Sequence, residues 1–165
     1  MTPWREDPKL QSRFHPDYPD DLQVLIHDGG LRTTDKRPEV VWVRVIDGCS
    51  PWYSGTVLNQ PLHLLSVHPG STIHFVAPQG GEYPLMVTEQ YIRERPDWLI
   101  EPCDRCGLTE LFDEPSKLWK ITSPDLHVPE ERPVIIMFST FCGYCGGKLF
   151  VSSRTPVVKS EDIQS

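Results

Sequence analysis

The chain has 165 residues, 38% of them hydrophobic and 24% charged, with a formal net charge of −7. That balance suits a folded domain rather than a disordered one, and so acidic a surface repels phosphate backbones, which argues against nucleic acid as a partner. Seventeen prolines exclude long helices and favour short strands joined by shaped loops, so a mainly β protein is expected.

Residues 1–21 hold four prolines and several acids. His15-Pro16-Asp17-Tyr18-Pro19-Asp20-Asp21 mixes a histidine with carboxylates, yet reads as extended, proline-rich surface coil rather than a metal loop. Met1 to Asp7 lacks the basic-then-apolar pattern of a signal peptide, and the longest aliphatic run, Val134 to Phe138, is far too short for a bilayer.

A β-barrel is expected over residues 22–97. Leu22 to His27 reads as a strand closed by Asp28-Gly29-Gly30. Val40 to Ile46 is the strongest strand by β-branched content, with Val41, Val43 and Val45 on the core face and Trp42, Arg44 and Ile46 on the other. Trp42 beside Arg44 either lines a groove or covers a barrel end. Trp52 to Leu58 forms its hairpin partner, and Gly55 inside it predicts a bulge or bend. Leu62 to Val67 follows a break at Pro61. His68-Pro69-Gly70-Ser71 suits a type II turn, and Thr72 to Val76 resumes as a strand. Leu85-Met86-Val87 is a short apolar segment, after which Thr88 caps a brief helix, Glu89 to Arg95, with acids early and arginines late. Short strands broken by glycine and proline turns describe a small, bent barrel of the SH3-like kind.

His63, His68 and His74 invite a metal reading, but their spacings supply no short ligand pair, and a surface or barrel-end role is expected. Cys49, in Gly48-Cys49-Ser50-Pro51, is the one cysteine outside the motifs below. A thiol nucleophile activated by one of these histidines is the enzyme alternative.

Residues 98–153 form the second expected unit, followed by a polar tail over 154–165. Cys103-Asp104-Arg105-Cys106-Gly107 and Cys142-Gly143-Tyr144-Cys145-Gly146 are two CxxC pairs, each followed by glycine. That is the sequence form of a tetrahedral Cys₄ zinc site. Two intervening residues let both sulfurs of a pair reach one ion, and the glycine supplies the positive φ by which the chain leaves the turn. Four thiolates leave no open coordination position, so one structural Zn²⁺ is expected and no catalytic residue is assigned. Cys₄ also accommodates iron. The redox alternative for CxxC requires the motif to open a helix. Instead, Pro133 to Phe138 and Lys148 to Val151 flank the second pair as strands. The cysteines suit a reducing compartment, and a cytoplasmic protein is expected.

Through Cys103, Cys106, Cys142 and Cys145 this unit is similar to zinc ribbons, and that resemblance implies a scaffold rather than an activity. The stretch Val41-Trp42-Val43-Arg44-Val45, then Gly55-Thr56-Val57-Leu58-Asn59-Gln60-Pro61, then Pro69-Gly70-Ser71-Thr72-Ile73-His74-Phe75 resembles the YegJ-like family of bacterial domains, over about residues 40–76. It implies a fold more than a function. Together these readings predict a non-catalytic, zinc-stabilised binding or accessory module. Trp42, Trp52 and Tyr53 are offered to a protein partner. The nucleic-acid alternative rests on Arg93, Arg95, Arg105, Lys117 and Lys120 gathering near the metal.

Overall fold

A computed structural model describes residues 2–122 and 135–154. The alternation of small β-branched residues and polar ones produces the expected mainly β architecture. Six strands form the first sheet: β1 (Phe14–His15), β2 (Tyr18–Ile26), β3 (Glu39–Cys49), β4 (Trp52–Val57), β5 (Thr72–Val76) and β6 (Leu85–Val87). They pair in chain order, antiparallel throughout, until β6 returns to meet β2 in parallel at Leu25 and Leu85. That last pairing closes β2 to β6 into a ring.

The ring encloses the predicted core. Val41, Val43 and Val45 are buried, whereas Arg44 and Ile46 face solvent. The bend expected at Gly55 is shared with its partner. Val45 pairs with Gly55 and Asp47 with Ser54, so Ile46 is the extra residue of a bulge on β3. Gly55 allows β3 to approach, since a Cβ there would sit 2.5 Å from Val43 Cγ1 and 2.7 Å from the Arg44 carbonyl oxygen. The turn at Pro69-Gly70 forms as expected, with Gly70 at φ +90° and the Ser71 N–H donating to the His68 carbonyl at 2.9 Å.

Two stretches differ from expectation. The proline-rich N-terminus is not loose surface coil: Pro3–Glu6 and Gln11–Arg13 form 3₁₀ turns, and Trp4 and Leu10 are buried in the ring's core. Asp7, also buried, accepts a 2.7 Å hydrogen bond from the Tyr53 hydroxyl. Residues 58–71 are irregular between β4 and β5. Three consecutive N–H groups, of Leu62, His63 and Leu64, donate to the Glu39 carboxylate at 2.7–2.9 Å, offering this backbone an alternative to a ladder. Leu64 and Val67 turn inward, three residues apart.

Helix α1 (Glu89–Glu94) starts where Thr88 caps it by accepting from the Tyr91 N–H at 3.1 Å, and Arg95–Asp97 continues it as a 3₁₀ turn. Beyond it lie β7 (Trp98–Ile100), α2 (Pro115–Thr122), β8 (Met137–Phe141) and β9 (Lys148–Ser153), the strands forming a second sheet in the order β7-β9-β8. The segment around Leu118 is helical, with Pro115 at its first position. Residues 123–134, which include Pro133 and Val134 of the run before the second knuckle, and the tail beyond residue 154 lie outside the described residues. The second sheet shares a core with the ring's β5–β6 side, where Leu25, Val76, Leu85 and Val87 meet Trp98, Leu111, Phe138 and Leu149.

A candidate metal centre

The four expected ligands come together. The sulfurs of Cys103, Cys106, Cys142 and Cys145 all lie within 4.8 Å of one another, and no other such His, Cys, Asp or Glu group occurs among the described residues. Across the two knuckles, Cys103 Sγ lies 3.4 Å from Cys145 Sγ and Cys106 Sγ 3.7 Å from Cys142 Sγ. A tetrahedron with ~2.3 Å metal–sulfur bonds has edges of about 3.8 Å. Small adjustments therefore fit a single ion.

Local backbone geometry explains why these segments present their sulfurs. In the first knuckle the Cys103 N–H donates to the Leu108 carbonyl at 2.9 Å and the Gly107 N–H to the Cys103 carbonyl at 3.0 Å. The second repeats this pattern, Cys142 to Gly147 at 2.7 Å and Gly146 to Cys142 at 2.9 Å. Gly107 and Gly146 have φ of +78° and +79°, and a Cβ on either would meet nothing within 4 Å, so their glycines are required by conformation and not by space. Gly147 is there for proximity: a Cβ would press 2.7 Å from Cys103 Sγ. Asp104 stitches the knuckles together, its N–H donating to the Lys148 carbonyl at 3.1 Å and its Oδ1 accepting from the Lys148 N–H at 2.8 Å.

Cys103 and Cys142 are buried; Cys106 and Cys145 are partly exposed. Burial pushes the Cys103, Cys106 and Cys142 thiols up, and backbone N–H groups pull them down. At Cys103 the N–H groups of Cys106 and Arg105, helped by the Cys145 thiol, prevail and bring it to about 7. At Cys142 burial prevails over the N–H groups of Cys145 and Tyr144 and holds the thiol far above its ordinary range. Neither knuckle opens a helix, so the redox context is missing: Cys103 begins a turn leading into coil, and Cys142 begins the β8–β9 turn.

The surroundings hold the centre against the ring. Phe112 sits with its ring against Gly143, where a Cβ would approach within 2.5 Å, and also meets the His27 ring at a 4.4 Å centroid separation. Sequence reading passed over that histidine. It is buried, lies 2.7 Å from the Met86 carbonyl through Nε2, and accepts the Gly29 N–H at Nδ1 over 3.0 Å. Burial depresses its pKa, which matches this neutral, fully partnered ring. Asp113 accepts from the Gly30 N–H and the Thr33 hydroxyl at 2.8–3.0 Å, tying the β2–β3 loop to the chain after the first knuckle. A third tie is buried and ionic: Glu110 receives Arg95 at 2.9 Å and the Tyr91 hydroxyl at 2.7 Å, while the same hydroxyl accepts the Leu111 N–H.

The other candidates do not assemble. Cys49 is exposed and makes no hydrogen bond to a histidine among the described residues. His63 and His68 are exposed, and His74 contacts Glu89 at 3.3 Å. Arg95 is partly buried against Glu110 and Arg93 reaches Glu89 at 3.9 Å, so two members of the expected basic face are committed to carboxylates. Tyr53 is also buried and is not available to a partner, and Trp52 is half-buried against the second core. Trp42 stays partly exposed. No described helix is long and apolar enough to cross a membrane. No family model matches the chain, and neither does any curated protein or solved structure, so the likeness over residues 40–76 gains no support from these comparisons.

Proposed function

We propose that the chain is a zinc protein working as a non-catalytic binding or accessory module, with one structural Zn²⁺ held by Cys103, Cys106, Cys142 and Cys145. The observation that carries this reading is the convergence of four thiols, from segments far apart in sequence, at near-tetrahedral spacings. An all-cysteine set fills the coordination sphere, so the ion supplies cohesion rather than a reactive position. On this reading the β8–β9 hairpin with its knuckles is a zinc ribbon, and the closed ring is a barrel of the SH3-like kind. Function then resides on the surface. A net charge of −7 disfavours nucleic acid and favours a protein partner. Free thiols suit the reducing cytoplasm.

Elemental analysis of untagged protein, purified without added metal, tests the reading. One zinc per chain is expected, with loss of the near-ultraviolet circular dichroism of the second core when a chelator removes it. Iron in its place, visible as colour, would keep the centre and change the ion. A metal-free chain carrying two reversible dithiols would overturn the proposal and turn attention to redox chemistry.

A further inference from the structure

We infer that the outer face of the second sheet docks a second copy of this chain, and that the protein pairs through it as a two-fold dimer. Only one face of this sheet packs on the core: Phe138, Leu149 and Val151 turn inward, while their strand neighbours turn out. Leu99, Ile135, Met137, Phe141 and Phe150 are each 40–59% exposed. Strand pairing gathers them. Leu99 and Met137 flank Ser152 from either side, Phe150 lies opposite Ser139, and Phe141 lies opposite Lys148. Phe150, on the central strand, is therefore the middle of the face. None of the four cysteines takes part in it.

Area and relief both fit another copy. Large apolar side chains present about 150–250 Å² each when bare, so these five leave roughly 400–500 Å² in water. A standard interface covers about 800 Å² on each partner, a little over half of it apolar. This one face supplies that apolar share. Its relief is also self-complementary. Ser139 across the strand pair and Ser152 along the strand leave hollows beside Phe150. A facing copy brings the same ring and the same hollows, and side chains of two packed sheets interdigitate in this way.

Charge does not oppose the pairing, although each chain carries −7. The acids are elsewhere, and the rim of this face holds both signs. Glu101 follows β7, while Lys148 and Arg32 stand at the Phe141 end, with the Arg32 guanidinium 5.5 Å from that ring's centroid. Glu101 and Lys148 are exposed and make no ion pair among the described residues. A second copy thus brings charges of either sign to the same rim, where they set orientation more than affinity. A lipid surface fits less well, because anionic headgroups repel a chain of −7.

Sedimentation equilibrium of the untagged full chain, as purified, is run from about 1 to 200 µM, since interfaces of this size hold at micromolar concentrations or tighter. The mass is expected to rise toward twice the 18.9 kDa of one chain. Phe150→Ala should weaken the pair about 30-fold, as truncation of a central residue does, and Met137→Asp at least about tenfold. Leu65→Ser, at an exposed apolar position of the β4–β5 segment, should leave it unchanged. If Phe150→Ala fails to fold, the more exposed Met137 keeps the test decisive. With methyl-labelled methionine, the Met137 signal should shift on dilution while Met86, packed on the ring's core, stays put. A monomer at every concentration overturns the inference and leaves the face to a different protein; so does a dimer indifferent to both substitutions. Zinc measured on the same sample keeps the two readings apart. A zinc-bound monomer defeats this inference alone, and a metal-free dimer defeats the metal reading alone.

Discussion

The ring and the metal lobe solve the same problem with different materials. Inside the ring, Leu22, Val24, Ile26, Val41, Val43, Val57 and Phe75 meet from strands whose pairing fixes which face each residue occupies, and Trp4, Leu10, Leu64 and Val67 join that core from irregular segments. The second sheet has three strands of three, five and six residues. One face is buried with Trp98, Ile100, Phe138 and Val151; the other leaves Leu99, Met137, Phe141 and Phe150 in solvent. Apolar burial alone suffices for a closed sheet, since every inward side chain finds neighbours on all sides. A small open sheet lacks that enclosure, and an ion held by the four cysteines would supply the missing cohesion.

The widest gap between the two regions should open when the metal is removed. A structural zinc in the proposed site would contribute about 10–16 kcal/mol of apparent binding free energy. Hydrogen exchange after chelation is expected to show protection lost across β7, β8 and β9 and retained in β3 and β4. Uniform loss would mean that the ring depends on the ion as well. Next in size is the Arg95–Glu110 ion pair beside the second core. Arg95→Met strands the buried Glu110 carboxylate, and urea unfolding is expected to show a loss of about 3–5 kcal/mol. Gly55→Ala strikes the ring alone. Its new methyl meets Val43 and the Arg44 carbonyl, with an expected cost of about 1–3 kcal/mol and unchanged zinc content. The smallest effect is a pH dependence. His27 has a depressed pKa in the folded protein because burial opposes its charge. Below its ordinary value of 6.5 the unfolded chain takes up a proton that the folded chain refuses, so this contribution to stability is full above that pH and declines as pH falls toward the folded value. The wild-type chain should therefore lose more stability than His27→Gln between neutral pH and pH about 5.5; parallel urea midpoints would sink the assignment.

Most of what was legible in the sequence is local. Thr72 to Val76 is a strand with the expected bounds, Thr88 caps its helix, and the knuckle glycines have the positive φ that their position after the second cysteine implied. In each case the determinant lies within a few residues. The four cysteines were legible across a longer span because CxxC is rare and chemically specific. The misread parts depend on contacts distant in sequence. Nothing near Trp4 or Leu10 shows that a barrel core lies waiting, and the partner that buries Tyr53's hydroxyl, Asp7, is 46 residues away. The course of residues 62–67 was not readable locally either, because Glu39, more than twenty residues earlier, takes up the N–H groups of Leu62, His63 and Leu64. His27 looked like the end of a strand because its partners, Met86 and Phe112, belong to later segments.

Splitting the ligands between two distant knuckles also imposes an order on biosynthesis. The strands of the ring are complete by Val87, and Cys103 and Cys106 follow soon after. Cys142 emerges 36 residues behind Cys106. At about 5–20 residues per second, a ribosome takes roughly 2–7 s to cover that distance. Throughout that interval the nascent chain displays a bare pair of thiols, too few to retain zinc firmly and open to oxidants. The ring can fold during translation, whereas the metal lobe must wait for its last cysteine.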